Sequence, residues 1–382
     1  MGRIPQRFHA PDGWNANTNL TFGSFHIDIA PIIIVAFFTT LLVFGTKIGA
    51  RVDGAMTVLK IAIVFFVVIV GFFYVKASNF TPFIPPSQPA STVEGSSAVT
   101  GVMTQPLWQF ATGMTPSVYG VPGILSGAAL VFFAFIGFDV VATASEETKN
   151  PHKNVPLGIG VGMLLIIVMY MLVAVVTTGM VSYADLAKQD SPSLATAFEL
   201  VGADWAAKII SFGIVLGLAT VVMVLLLGLT RIVFAMSRDG LLPRGLSKTG
   251  KHGTPAALQI VVGAVVALVA AFFDIGVLSD MVNIGTLSAF TLVAISIPIM
   301  RKKRPDLPRA FKMPGSPWIP ILIAVANFWL MLNLSVLTWI RFVVWLVVGF
   351  AIYFGYGYWH ARLGKGDLTE TLSAETDKAV NG

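Results

Sequence analysis

The sequence contains no cysteine and only 12% charged residues, and each shortage excludes a class of protein. Without cysteine there is no disulfide framework, no thiol nucleophile and no Cys-ligated metal. Charge at about half the usual ~25% leaves too few polar side chains to solvate a water-soluble globule of this length. The five histidines are scattered, and H-E-x-x-H, G-x-S-x-G and P-loop patterns are all missing. No enzyme activity, cofactor or metal is therefore expected. Residues Met1 to Asn19 are polar and lack the apolar core of a secretory signal.

Apolar residues are in excess instead. Adding the 36 glycines to the 55% hydrophobic set and removing the 7 tyrosines gives roughly 62%, against about 45–50% for soluble domains. They fall in runs near 29–46, 57–75, 123–144, 157–181, 207–230, 257–273, 281–300, 318–336 and 339–359. Such runs are about as long as a helix must be to cross the ~30 Å hydrocarbon layer. The expected fold is an all-α polytopic membrane protein with about nine transmembrane helices. It divides into an extracellular segment 1–28, a transmembrane domain 29–361 and a polar tail 362–382, expected to be disordered on the cytoplasmic side. Most of the stretch from Lys76 to Pro122 reads as loop, with a short interfacial helix expected within Thr104–Tyr119 that carries Trp108 and Phe110.

Lys and Arg outnumber Asp and Glu by 25 to 19, and their placement decides what the excess means. With the first inter-span loop inside, eighteen basic residues share its side, including the Arg301–Arg304 run. The other side holds only Arg3, Arg7, Lys76, Lys188, Lys208 and Arg341. The positive-inside rule then sets the N-terminus outside and the tail inside a cell membrane. The basic excess is topological, so lipid rather than nucleic acid is the expected partner.

Lys60 and Asp139 lie inside apolar runs, where an ionisable group is costly enough to need a reason. Lys60 sits about one turn from the cytoplasmic end. It can snorkel to the interface, or it can be a desolvated amine that binds and releases a proton. Asp139 follows Val131-Phe-Phe-Ala-Phe-Ile-Gly-Phe. Gly137 weakens the helix there, so the segment can break and offer backbone groups to a ligand, as transporters do at the midplane. Alternatively Gly137 allows close packing and Asp139 lies near the cytoplasmic exit. Gly158, Gly160 and Gly162 read as close-packing positions rather than as a dinucleotide fingerprint, because no strand precedes them.

Four blocks together resemble the cationic amino acid transporter-like branch of the amino acid, polyamine and organocation permeases. They are GARVDGAMTVLK at 49–60, FFAFIGFDVVATASEETKNP at 132–151, GLTRIVFAMSRDGLLP at 228–243, and IGTLSAF with RPDLPRAF within 284–311. The resemblance implies an inverted-repeat transporter fold of twelve helices, with substrate held between broken first and sixth helices. By that comparison Phe132–Asp139 is the broken sixth helix. Phe132, Phe133, Ala134, Phe135, Gly137 and Asp139 are then substrate-binding residues, Lys60 the proton-coupling group and Thr220 its neighbour. The first three helices of the pattern are not found in this chain, so nine of twelve are expected to be present. The implied function is a secondary active, proton-coupled amino acid transporter working by alternating access. The alternative is a truncated non-transporting remnant, or a subunit whose partner supplies the missing helices. Asp139 would favour a cationic substrate, whereas Phe132, Phe133, Phe135 and Phe138 would suit neutral or apolar ones, so a broad range of amino acids is expected.

Overall fold

The computed structural model describes residues 19–22, 25–44, 46–90, 101–138, 148, 150–189, 192–247, 255–273, 275–305, 313 and 315–361. It begins with an antiparallel hairpin of β1 (Asn19–Phe22) and β2 (Phe25–Asp28), which composition alone did not suggest. Helices α1 (Ile29–Phe44) and α2 (Thr46–Phe72) follow, so α2 starts eleven residues before its apolar run. In the outer segment β3 (Gln88–Pro89) pairs with β4 (Ser117–Val118), and between them lies the expected short helix, α3 (Leu107–Thr112). Then come α4 (Gly120–Val131), α5 (Pro151–Met180), α6 (Tyr183–Ala187), α7 (Leu194–Leu200) and α8 (Asp204–Arg238). The last long helices are α9 (Ala256–Phe272), α10 (Ile275–Lys303), α11 (Trp318–Leu332) and α12 (Val336–Ile352).

Five described helical stretches are long and apolar enough to cross a membrane: Gly54–Phe72, Lys153–Met180, Asp204–Arg238, Ile275–Lys303 and Val336–His360. Shorter apolar helices occupy Pro31–Val43, Gly120–Phe135, Ala256–Phe272 and Trp318–Leu332. Large apolar side chains on these helices point outward, among them Leu164, Leu322 and Trp345. That pattern fits a solvent of lipid tails, where an exposed leucine costs nothing and an unpaired backbone group is expensive.

Three clusters hold the helices together. Val67 of α2, Val176 and Met180 of α5, Phe198 of α7 and Ile210 of α8 form the first. Val35, Phe38 and Leu42 of α1 meet Met223 and Leu226 of α8 and Leu258 and Val262 of α9 in the second. Ala129 of α4, Ile284 and Leu287 of α10 and Met331 of α11 form the third. Helix α8 thus joins the first two clusters, and the third is built around α4 and α10.

Small residues set the closest approaches, as expected where helices must associate without a hydrophobic driving force. A Cβ on Gly263 of α9 would run into the side chain of Thr39 on α1. Threonine is branched at Cβ and has few rotamers to retreat into. Gly263→Val is therefore expected to destabilise the protein by about 1–3 kcal/mol, seen as a melting temperature lowered by several degrees in detergent. Gly158, Gly160 and Gly162 behave differently from the sequence expectation: a Cβ on any of them meets nothing within 4 Å. Within the described residues they are not close-packing positions.

Candidate functional site

Helix α4 stops at Val131, well short of the end of its apolar run. The chain tightens into a single 3-10 turn over Phe132–Phe135, and Ile136 then becomes extended at φ −67° and ψ 138°. Gly137 follows at φ +116°, a conformation that a residue with a Cβ rarely adopts. The expected break is therefore present, at the glycine that the sequence singled out. Asp139 lies outside the described residues.

A break inside an apolar span frees carbonyls that the helix no longer pairs, so donors must come from a solvated cavity or from neighbouring helices. Two helices supply one each. Upstream, Asn283 Nδ2 on α10 donates to the Leu130 carbonyl at 3.4 Å. Asn283 is fully buried, and its Oδ1 has no partner among the described residues. Downstream, the Tyr170 hydroxyl on α5 donates to the Ala134 carbonyl at 2.8 Å. The Tyr170 ring also meets Phe135 edge to face, with centroids 5.1 Å apart.

The aromatic side chains of the break separate onto different neighbours. Phe132 and Phe138 both pack on Phe290 of α10, with centroids 6.1 and 5.2 Å away. Phe135 faces α5, while Phe133 is 44% exposed and Ala134 is exposed as well. Sequence reasoning missed Asn283, Phe290 and Tyr170. For Asn283 and Tyr170 the sequence carried only the signal that a polar side chain within an apolar run needs some partner, not which one.

Lys60 is half-buried on α2, where it faces α8. Its Cγ lies 4.0 Å from where a Cβ on Gly217 would stand, an ordinary packing distance that sets the lysine stem against this turn of α8. Thr220, one turn further along α8, is 2% exposed, and its hydroxyl donates to the Gly217 carbonyl at 2.9 Å. A hydroxyl that donates in this way keeps its lone pairs for a second donor. Lys60 and Thr220 thus converge on the same turn of α8.

Two other features lie apart from these residues. A cavity lined by Phe73, Tyr74, Lys76, Asn79, Ser182 and Asp185 opens where α2 and α5 end, and it shares no residue with the break. Among the described residues no three His, Asp or Glu side chains gather in a way that could hold a metal ion.

The profile of a family described as amino acid permease matches residues 11–357, nearly the whole chain and the break with it. The chain belongs to the amino acid permease family. It is a multi-pass protein of the cell membrane in a family of permeases rather than of enzymes. The branched-chain amino acid permease BcaP of Bacillus subtilis (strain 168) is 40% identical over 359 residues, covering 94% of this chain and 70% of that protein. The methylthioribose transporter of the same organism is 38% identical over 334 residues, covering 87% and 65%. The vacuolar cationic amino acid transporter 4 of Arabidopsis thaliana is 34% identical over 281 residues, covering 73% and 42%. The permease chain described here thus spans about two thirds of the length of the two bacterial relatives and less than half of the plant one.

Proposed function

We propose that the protein is a secondary active permease for neutral amino acids with branched or apolar side chains, working by alternating access around the Phe132–Gly137 break. The observation that carries this reading is the discontinuity itself: a 3-10 turn ending at a left-handed glycine, in the middle of an apolar helix of an amino acid permease. Such a break exposes backbone amides and carbonyls that can recognise the amino and carboxylate groups common to all amino acids. The surrounding aromatic rings of Phe132, Phe135, Phe138 and Phe290 favour an apolar side chain over a charged one. Two relatives named as branched-chain amino acid permeases support the same choice.

Transport in this reading is driven by a proton, with Lys60 the coupling group and Thr220 the acceptor beside it. Their convergence at Gly217 supports the pairing. We further propose nine crossings within residues 29–361, with the basic loops and tail cytoplasmic and the two halves of the family's inverted repeat meeting at the break.

The test is uptake into proteoliposomes. L-isoleucine uptake is expected to be driven by an inwardly directed proton gradient and to be competed by L-leucine and L-valine, but not by L-lysine or methylthioribose. Competition by lysine alone would contradict the substrate class. Uptake indifferent to the gradient would contradict proton coupling.

A further inference from the structure

Tyr170 stands in the middle of α5 and takes no part in the family pattern read from the sequence. Its hydroxyl nevertheless donates to a carbonyl of the break itself, that of Ala134. In a continuous helix the Ala134 carbonyl would accept from the amide of Phe138. The extended Ile136 and the left-handed Gly137 turn that amide away, and the Tyr170 hydroxyl takes its place at 2.8 Å. Edge-to-face packing against Phe135 fixes the phenol ring at the same time.

We propose that Tyr170 is a positioning residue for substrate, holding the 3-10 turn of the break in its binding-competent place through the Ala134 carbonyl. The inference rests on the permease reading above. The alternative to the hydroxyl in a hydrocarbon setting is a carbonyl with no donor, or a turn that relaxes toward continuous helix and pairs its backbone groups internally. In the relaxed turn those groups are no longer offered to a substrate. Asn283 secures only the upstream side, at Leu130, so it cannot substitute for a contact four residues further along.

Tyr170→Phe keeps the ring and removes the donor. A protein–protein hydrogen bond contributes about 1 kcal/mol, so KM for L-isoleucine is expected to rise about fivefold to tenfold while kcat stays within twofold. A residue needed only for folding would instead lower the amount of active protein, leaving KM unmoved. The second measurement places 3-fluorotyrosine at position 170 in the otherwise unaltered protein. Its fluorine resonance is expected to shift on addition of L-isoleucine and not of L-lysine. An unchanged KM in Tyr170→Phe overturns the inference. If that variant fails to fold, the fluorine resonance decides, and a signal indifferent to isoleucine overturns it. Wild-type protein that neither binds nor takes up any amino acid overturns the permease reading first, and this inference with it.

Discussion

Gly137→Ala is expected to lower kcat/KM for L-isoleucine uptake by at least tenfold. Among the described residues a Cβ at this position meets nothing within 4 Å, so a clash with them does not account for the loss. It comes from the backbone: φ of +116° is open to glycine and strained for alanine, at a cost of about 1–3 kcal/mol. The chain can relieve that strain by carrying the helix of α4 through the break, which closes the turn that offers backbone groups to a substrate. Gly160→Ala is the matched control. Among the described residues a Cβ there also meets nothing within 4 Å, but Gly160 lies in regular helix, where alanine is the better residue. Uptake by Gly160→Ala is expected to equal wild type, measured in the same proteoliposomes. Equal losses in both variants would remove the special role given to the break.

Lys60→Met is expected to abolish the response of uptake to a proton gradient while leaving L-isoleucine binding within about threefold of wild type. Methionine is similar to lysine in length and apolar, so it keeps the packing against Gly217 without a titratable group. An amine in this setting is expensive unless paired, and Thr220, one turn from Gly217 on the facing helix, is the acceptor proposed for it. Gly217→Leu should mimic the effect from the other side, by displacing the lysine stem from α8. Gradient-driven uptake is the readout for both variants, with isoleucine-dependent thermal stabilisation as the binding control. A gradient response retained in Lys60→Met would exclude Lys60 as the coupling group.

Much of this architecture is legible in the sequence because a lipid solvent simplifies the code. Among the described residues each of the nine apolar runs carries helix, five of them long enough to cross a membrane, since a helix pairs its backbone internally. The break was legible as well, because Gly137 interrupts an aromatic run that would otherwise have no reason to stop. Helix ends were harder to read. Helix α10 begins at Ile275 rather than near 281, which brings Asp280 into the helix as a half-buried carboxyl that accepts from Thr338 at 3.1 Å. Hydropathy alone assigns such a charge to the loop. The partners of the break were not legible, because Asn283, Phe290 and Tyr170 come from helices distant in sequence, and which face each presents is decided by packing. The hairpin at 19–28 escaped for a related reason: its segment is short and its strand pattern is too weak to stand out from loop.

The most direct test of the central claim is to locate the bound substrate. Photo-leucine, a diazirine analogue of leucine, would be irradiated with the purified protein and the attachment sites mapped by mass spectrometry. Attachment is expected within Phe132–Phe138 and at the facing residues Tyr170 and Phe290, and it should be suppressed by excess L-isoleucine. Isoleucine-sensitive attachment confined to other segments, or labelling of the break that excess isoleucine leaves unchanged, would contradict the assignment of this break as the substrate site.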